Sequence, residues 1–314
     1  MNLLVSMRYL VALDEHKHFA RAAAACHVTQ PALSNALRAL EAEIGWPIVK
    51  RSPTFAGFTP EGQRLLESAR RMLHEEDLLK QDFSPTSGRP LGKLTLGVVP
   101  SAEPIAARFA ARLHALHPGI APVVRSMSSQ DIEAGLDNLT LDLGLGFTDR
   151  VRASAKALRT TAQYTEHYFL VRQAPSPGKQ GLQFGPPITW KEAADLPLCL
   201  LTPEMHSRHI VDAAFDQAGV SVRPVLQTNS ILSLAMSAIG GSLCAVMPGA
   251  LVGVVQSHSE LQAQALKDPS VNTPIGFMWM DTDRMSRPLE AALTLAKDAA
   301  WLRHAAAVSS LLPA

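Results

Sequence analysis

The chain has 314 residues, of which 47% are hydrophobic and 18% are charged, and its formal net charge is +1. This composition is typical of globular folds and excludes a largely disordered chain, and the length allows two or three compact units. The near-neutral charge lacks the basic balance by which nucleic-acid-binding proteins are often recognised.

The cysteines and the N-terminus indicate a compartment. Cys26, Cys199 and Cys244 lie far apart without a C-x-x-C pair, so we expect neither a disulfide framework nor a zinc site. The N-terminal sequence has an arginine inside a short apolar run and no small-residue cleavage site, so we expect no signal peptide. No apolar run approaches the roughly 18 residues that cross a bilayer. We therefore predict a cytoplasmic protein with no membrane partner, no metal and no resident cofactor.

The first part of the chain predicts three helices. A first helix is expected over residues 3–15 and a second, rich in alanine, over residues 19–26. His27 and Val28 then fill a short turn, as in a helix-turn-helix. An ordinary helical hairpin with a solvated face has the same spacing, and both interpretations fit the residues.

The third helix has two distinct faces. Thr29 is a suitable N-cap, Pro31 fits the first turn, and the helix runs to about Ile44, before Gly45. The apolar face consists of Leu33, Leu37, Leu40 and Ile44. The polar face consists of Gln30, Ser34, Asn35 and Arg38. The polar face is available to contact a partner.

A wing, a long helix and a hinge are predicted next. Residues 48–59 suit a two-stranded wing with Pro53 and Gly57 at its tip. Thr59 caps a helix to about residue 83, whose apolar side either joins a second subunit or packs internally. That side consists of Leu65, Leu66, Ala69, Met72, Leu73, Leu79 and Phe83. Residues 84–92, rich in Pro, Gly and Ser, indicate a hinge.

Strands and helices alternate after the hinge, which favours α/β lobes with a parallel sheet. The predicted strands are 94–99, 121–127, 141–147, 167–171, 198–201, 223–227, 243–247 and 274–279, and the predicted helices are 101–117, 130–138, 190–194, 207–219 and 286–305. Residues 93–162 with 270–314 are expected to form one lobe and residues 163–269 the other.

The motifs at the N-terminus are similar to those of one family. Residues 28–34, VTQPALS, with 36–41, ALRALE, resemble the recognition helix of LysR-type transcriptional regulators, and the match continues through 48–51, IVKR, and 58–62, FTPEG. The resemblance implies a winged helix-turn-helix over residues 1–58, a dimerising linker helix over 59–83, and an effector domain over 93–314. That domain would be α/β, with two lobes like a periplasmic binding protein.

The resemblance also implies partners. It assigns binding of a double-stranded DNA operator to Thr29, Gln30, Pro31, Ser34, Asn35, Arg38, Lys50 and Arg51. Such bacterial regulators usually assemble as a tetramer of two dimers and change the bend of DNA when a small molecule binds. RNA polymerase is a further candidate partner.

Several hydroxyl and amide side chains follow predicted strands and are candidates for effector contact. Backbone N–H groups and the helix dipole at such junctions favour an anion, so we expect a small carboxylate or similar co-inducer. These candidates are Ser101, Ser129, Thr202, His206, Asn229 and Ser230. Ser, Thr and Asn at these places also serve as plain helix caps, and this alternative stays open. His206 and His209 are compatible with metal ligation, a pH-sensitive contact or the surface, but no cysteine or third ligand lies nearby to support zinc. Contact of Arg208 or His206 with an effector carboxylate is favoured over a metal site.

Two other classes of protein are alternatives. An enzyme finds little support, since there is no G-x-S-x-G, no G-x-G-x-x-G after a strand, no P-loop and no H-E-x-x-H. A solute-binding protein would explain residues 93–305 but would leave the first 83 residues without a role.

Overall fold

The computed structural model describes residues 2–50, 52, 54–83, 89–149, 158–176, 178 and 180–310. The chain divides at about residue 88 into an N-terminal and a C-terminal unit. Arg51 and residues 84–88 of the predicted hinge lie outside the described residues. Within the part that is described, no helix is both long and apolar enough to cross a membrane.

The N-terminal unit contains the predicted helices. They are α1 (Leu3–His16), α2 (Phe19–Ala25), α3 (Gln30–Ile44) and α4 (Pro60–Asp82). The Thr29 hydroxyl accepts a hydrogen bond from the Ala32 N–H at 3.3 Å, and Gly45 ends α3 with a φ of 80°. Because the cap, the proline and the terminal glycine all occur where the sequence placed them, α3 is confirmed in position and length.

The core of this unit differs from the prediction at two places. Leu33, Leu37 and Leu40 are buried, but Ile44 is 38% exposed, because it lies in the last turn of α3, beyond the packed core. Leu66 is fully buried in the core that α4 shares with α1, so it is not available to an external partner. The apolar side chains that α4 exposes are Met72, Leu79 and Phe83.

The wing is tied closely to α3. Val49 and Phe58 form an antiparallel bridge, and the Lys50 N–H donates to the Gly57 carbonyl at 3.0 Å. The Glu41 carboxylate of α3 accepts from the N–H groups of Ile48, at 2.7 Å, and Val49, at 3.1 Å. These bonds fix the position of the wing base relative to α3.

Phe55 turns the wing tip inward. Its ring packs edge-on against Phe19 at 6.1 Å and against Phe58 at 5.1 Å between centroids. The tip therefore contributes an aromatic side chain to the core of the unit.

The C-terminal unit is built on two sheets. Its strands are β1 (Gly92–Val98), β2 (Ile120–Ser126), β3 (Leu143–Phe147), β4 (Leu158–Glu166), β5 (Tyr168–Gln173), β6 (Gln183–Phe184), β7 (Ile188–Thr189), β8 (Leu198–Leu201), β9 (Leu226–Thr228), β10 (Cys244–Pro248), β11 (Leu261–Lys267) and β12 (Thr273–Met280). Its helices are α5 (Glu103–Leu116), α6 (Ser129–Asp137), α7 (Trp190–Ala194), α8 (His206–Gln217), α9 (Ile231–Ile239), α10 (Gly249–Val252), α11 (Arg287–Ala296) and α12 (Ala299–Ser310). The predicted two-lobed α/β architecture is confirmed, with one sheet in each lobe.

Both sheets are mixed: the predicted parallel pairing is confirmed for β1, β2 and β3 and for β8, β9 and β10, whereas β5 and β12, which were also predicted, pair antiparallel to their neighbours. The first has the order β2-β1-β3-β12-β4 and the second β6-β11-β5-β10-β8-β9, with β7 beside β11. β1, β2 and β3 are parallel, but β12 is antiparallel to β3 and β4, and β5 is antiparallel to β10 and β11. Strands β4, β6, β7 and β11 were not predicted, and β9 begins three residues later than expected. The antiparallel strands are β4, β5, β11 and β12, by which the chain leaves one lobe and enters the other. Antiparallel strands need no crossover helix between them.

The predicted closing helix is two helices. α11 ends at Ala296 and α12 begins at Ala299, with the Asp298 carboxylate accepting from the Trp301 N–H at 2.8 Å. The Trp301 indole N–H donates to the buried Gln163 side chain of β4 at 2.6 Å. The side-chain cap at Asp298 thus divides residues 286–305, which the hydrophobic periodicity alone predicts as one helix.

Gly62 in the first turn of α4 carries the first testable prediction. A Cβ at this position would lie 2.1 Å from the Ile48 carbonyl oxygen, so the wing base and the start of α4 must move apart in Gly62→Ala. We expect the free energy of unfolding of the N-terminal unit to fall by about 1–3 kcal/mol, as for other overpacked sites. Denaturant titration of the full chain measures this, with the exposed neighbour Gln63→Ala as the matched control. Equal stability of the two variants would contradict the close contact.

Candidate functional site

A groove of about 500 Å³ lies on the N-terminal unit between α3 and the wing base. Its lining residues are Phe19, Gln30, Ser34, Leu37, Arg38, Glu41, Val49, Lys50 and Ser52. Four of the predicted DNA-binding residues are thus brought together on one surface. Glu41 is held by backbone N–H groups of the wing, while Arg38 and Lys50 are exposed cations.

The other residues of the predicted DNA surface have different surroundings. Asn35 is exposed on α3, and its side-chain oxygen accepts a hydrogen bond from the Arg38 guanidinium at 3.1 Å. Thr29 and Pro31 are exposed in the first turn, where Thr29 also caps the helix. Arg51 lies outside the described residues. The exposed polar face of α3 therefore has Asn35 and Arg38 already oriented toward each other.

The carboxyl ends of the parallel strands meet where the chain passes between the lobes of the C-terminal unit. In the first lobe, β3 and β4 run in the same direction, because both are antiparallel to β12, so Phe147 and Glu166 end at one edge. In the second lobe, Tyr168 at the start of β5 pairs with Pro248 at the end of β10. Only His167 separates β4 from β5, so the two edges adjoin where the lobes meet.

Four buried polar residues lie at this passage and are called the polar cluster below. They are Ser101, Tyr164, Glu166 and Tyr168, each at most 6% exposed. Ser101 follows β1 and influences the pKa of Glu166, as does Tyr164, which places both hydroxyls next to the carboxyl.

Burial raises the pKa of Glu166 to about 8, and the Ser101 and Tyr164 hydroxyls only partly oppose this effect. Burial, together with the nearby Glu166, also raises the pKa of Tyr168 well above its ordinary value. A carboxyl in an apolar environment favours its neutral form because the charged form loses its hydration. Near neutral pH, Glu166 is therefore mostly protonated.

Ser129 lies beside the polar cluster. Since Val98 of β1 is level with Ser126 of β2, the segments carrying Ser101 and Ser129 leave the sheet side by side. The N-terminal cap of α6 is Ser128, whose hydroxyl accepts from the Asp131 N–H at 3.1 Å. Ser129 is therefore not the cap; its buried hydroxyl has no hydrogen-bond partner among the described residues.

The residues predicted on the second lobe are mostly engaged. The Thr202 hydroxyl donates to Glu204 at 2.6 Å, and Ser230 caps α9 by accepting from the Ser233 N–H at 3.2 Å. Asn229 is exposed beside Ser230. For Ser230, the capping role left open by the sequence is thus the one observed.

His206 and Arg208 have roles that the sequence did not reveal. The His206 ring packs edge-on against Phe147 of the first lobe, with centroids 4.7 Å apart, so it makes a contact between the two lobes. Arg208 is buried and donates to the Leu201 carbonyl and to Asp212, which leaves it poorly placed for an effector carboxylate. Among the described residues, no group of three or more His, Cys, Asp or Glu side chains is arranged to hold a metal ion.

Sequence models of two domains match the chain over most of its length. "Bacterial regulatory helix-turn-helix protein, lysR family" matches residues 4–63, and "LysR substrate binding domain" matches residues 87–301. The chain belongs to the LysR family. Its N-terminal winged helix-turn-helix and two-lobed C-terminal unit are the two parts that these models describe.

Individual relatives of this LysR-family protein match a shorter stretch. The chain is 36% identical over 140 residues to a hydrogen peroxide-inducible genes activator of Pectobacterium carotovorum, covering 44% of this chain and 46% of that one. It is 39% identical over 121 residues to an SDS degradation transcriptional activation protein of a Pseudomonas species, covering 38% and 40%. The chain thus spans about half the length of the curated relatives it matches.

Solved structures extend the likeness of fold to nearly the whole chain. A full-length OxyR variant from Pseudomonas aeruginosa superposes with a TM-score of 0.72 at 20% identity, covering 94% of this chain and 97% of that one. CbnR in complex with its target DNA superposes with a TM-score of 0.65 at 18% identity, covering 96% and 99%. At these identities the likeness concerns the fold.

Sequence reasoning missed the polar cluster except for Ser101. β4 was not predicted, so Glu166 had no assigned strand and no assigned edge of a sheet. A signal was nevertheless present, since a glutamate interrupts the run Tyr164 to Val171, in which most residues are apolar or aromatic. A charged residue in such a run is rarely buried without a specific reason.

The pKa of Glu166 gives a prediction for stability in this LysR-family protein. The folded state keeps the proton up to about pH 8, whereas an unfolded glutamate loses it near about pH 4. The contribution of protonated Glu166 to the free energy of unfolding is therefore complete below the pKa of the unfolded state. It is lost as pH rises through the pKa of the folded state, at up to about 1.4 kcal/mol per pH unit. Glu166→Gln cannot ionise and should lack this loss.

Denaturant unfolding between about pH 5 and pH 8 compares the wild type with Glu166→Gln. The control is Glu290→Gln, which removes an exposed carboxyl of α11 and should follow the wild type. If the wild type and Glu166→Gln lost stability in parallel over this range, Glu166 would not be a buried acid.

Proposed function

We propose that this LysR-family protein is a sequence-specific DNA-binding regulator of transcription that responds to a small effector bound between its two lobes. The observation that carries the proposal is the groove in which Gln30, Ser34, Arg38 and Lys50 share one exposed surface of a winged helix-turn-helix. CbnR, which has the same fold, is known in complex with its target DNA. The relatives of known function named above are also activators of genes.

The proposed surface separates base reading from backbone binding. Gln30, Ser34 and Asn35 lie on the outer side of α3 and have amide or hydroxyl groups suited to base edges. Arg38 and Lys50 are cations suited to phosphates, which position a protein without reading sequence. Because the Phe55 ring packs against Phe19 and Phe58, the wing tip has less polar surface for contact with DNA.

Asn35→Ala tests base reading. Asparagine bonds adenine in the major groove, so we expect operators selected from random DNA to prefer adenine at one position of each half-site. Asn35→Ala should weaken binding to the selected operator by roughly 1–3 kcal/mol and binding to random DNA very little. Fluorescence anisotropy with both DNAs measures the difference. An equal loss on both would assign Asn35 a positioning role only.

Lys50→Ala provides the contrast in the same assay. Removing a phosphate contact should weaken binding to both DNAs and lower the slope of affinity against salt by about one. Arg71→Ala is the matched control, because it removes an exposed cation of α4 that does not line the groove.

We also propose that α4 joins two copies of the chain. Met72, Leu79 and Phe83 are 44%, 51% and 81% exposed and recur at about seven and eleven residues, which places them on one side of the helix. Leu66, which the sequence placed on the same seam, is unsuitable as a test site because a charge there would disrupt the core. Assembly of two such dimers into a tetramer remains a prediction from the family resemblance.

Replacing Met72 and Leu79 together by glutamate tests this interface. Two charges in an apolar seam would be buried without partners, so we expect the mass measured by light scattering to fall to that of a monomer. Operator affinity should fall with it. Gln63→Glu adds charge on the opposite side of α4 and should leave the mass unchanged. A double variant that kept the wild-type mass would place the interface elsewhere.

The effector is proposed to be a small molecule with an anionic group. The start of α6, beside the buried hydroxyl of Ser129, offers backbone N–H groups and the positive end of a helix dipole. The hydrogen peroxide in the name of one relative is a poorer candidate for this protein. The reactive form of cysteine is the thiolate, and burial raises the pKa of Cys199 and Cys244.

A further inference from the structure

A second groove, of about 510 Å³, lies at the C-terminal end of α3. It shares Glu41, Val49 and Lys50 with the groove on the polar face of α3, so the two grooves adjoin along the wing base. Its other lining residues include Gly45 and Trp46, which come directly after the helix. Of the residues that line the second groove, only Lys50 belongs to the DNA-binding surface predicted from the sequence.

The two grooves follow one side of α3. Residues four apart on a helix lie one above the other, and Ser34, Arg38 and Ala42 are spaced in this way. Ser34 and Arg38 line the first groove, whereas Ala42 lines the second. An extended molecule that lies along the first groove and continues toward the C-terminal end of the helix therefore passes Lys50 and reaches Trp46.

Trp46 belongs to an exposed and largely apolar segment. Residues 44–47, IGWP, are all exposed, and Trp46 itself is 59% exposed. The next residue, Ile48, lies in the core of the unit, so the backbone is anchored directly beside the indole. Exposed apolar surface next to a polar groove is typical of a contact site for another molecule.

The chemistry of the second groove suits the backbone of DNA. The indole has one N–H donor and no acceptor, which matches phosphate oxygens, and its apolar face matches a deoxyribose. Lys50 is an exposed cation at the junction of the two grooves. The Glu41 carboxylate, which would oppose a phosphate, already accepts from the N–H groups of Ile48 and Val49.

We propose that Trp46 extends the DNA interface beyond the polar face of α3 by packing against the sugar-phosphate backbone. This inference rests on the proposed function and adds a residue to its surface. Sugars and phosphates are alike at every base pair, so the contact carries no base information. Trp46 therefore adds affinity for any DNA sequence, next to the phosphate contact of Lys50.

Hydroxyl-radical cleavage of the selected operator locates the contact, because the radical attacks the deoxyribose that the indole would cover. With protein in excess, we expect the wild type to protect a short stretch of nucleosides in each half-site that Trp46→Ala leaves open to cleavage. This stretch should adjoin the nucleosides whose protection depends on Lys50. The rest of the footprint should be unchanged, which also shows that the variant is folded.

Ile44→Ala is the matched control for the footprint. It removes an exposed apolar side chain two residues from Trp46 that lines neither groove, so it should protect the same nucleosides as the wild type. Identical footprints of the wild type and Trp46→Ala would overturn the proposal.

Affinity separates this contact from base reading and from charge. Trp46→Ala should weaken binding to the selected operator and to random DNA alike, by roughly three- to tenfold. Because no charge is removed, the slope of affinity against salt should stay that of the wild type, in contrast to Lys50→Ala. A loss confined to the operator, or no loss on either DNA, would contradict a backbone contact.

Tryptophan fluorescence reports the same contact without a label. Trp46 is exposed, whereas Trp190, Trp279 and Trp301, which complete the four tryptophans of the chain, are at most 7% exposed. Acrylamide should therefore quench mainly Trp46, and the operator should protect it. Trp46→Phe should show little quenching with or without DNA.

The same measurements distinguish this inference from the proposed function. Wild-type protein that binds no operator would refute both. Operator binding that leaves Trp46 as open to acrylamide as before would refute only the contact of Trp46 with DNA. If Trp46→Ala then also had a lower mass by light scattering, the surface would belong to an interface between copies of the chain instead.

Discussion

The C-terminal unit depends on the one-residue passage from β4 to β5. Because only His167 separates the strands, the last residue of one sheet and the first of the other must lie at adjoining edges. Both residues, Glu166 and Tyr168, are buried and polar, so the constraint that joins the lobes also concentrates buried polar groups between them. The backbone N–H of Gly249 donates to the His167 carbonyl at 2.8 Å, which fixes the passage to the end of β10.

In the N-terminal unit, the contacts around α3 decide which charges the groove exposes. Glu41 faces the groove, yet its carboxylate is occupied by two backbone N–H groups of the wing base. The groove therefore presents Arg38 and Lys50 as its exposed charges, so a chain with a net charge of +1 still has a locally cationic surface. Local placement of a few charges matters more here than overall composition.

Membership of a family does not transfer the ligand of a relative. The relatives named for hydrogen peroxide align with less than half of this chain, and the structural likeness at 20% identity concerns the fold. Burial raises the pKa of the Cys199 and Cys244 thiols above the ordinary value.

The sequence by itself determined the elements whose ends are marked by local chemistry. Thr29 and Gly45 bounded α3 and Thr59 began α4, because caps act over one helical turn. The family motif determined the architecture. Only the tertiary structure decided that Leu66 is core, that Asp298 divides the closing helix, that Ser128 rather than Ser129 caps α6, and that Glu166 is buried beside Ser101. Glu166 and Ser101 come together between the lobes because strands that are distant in the sequence pair with one another. No short-range pattern in the sequence shows which strands will pair.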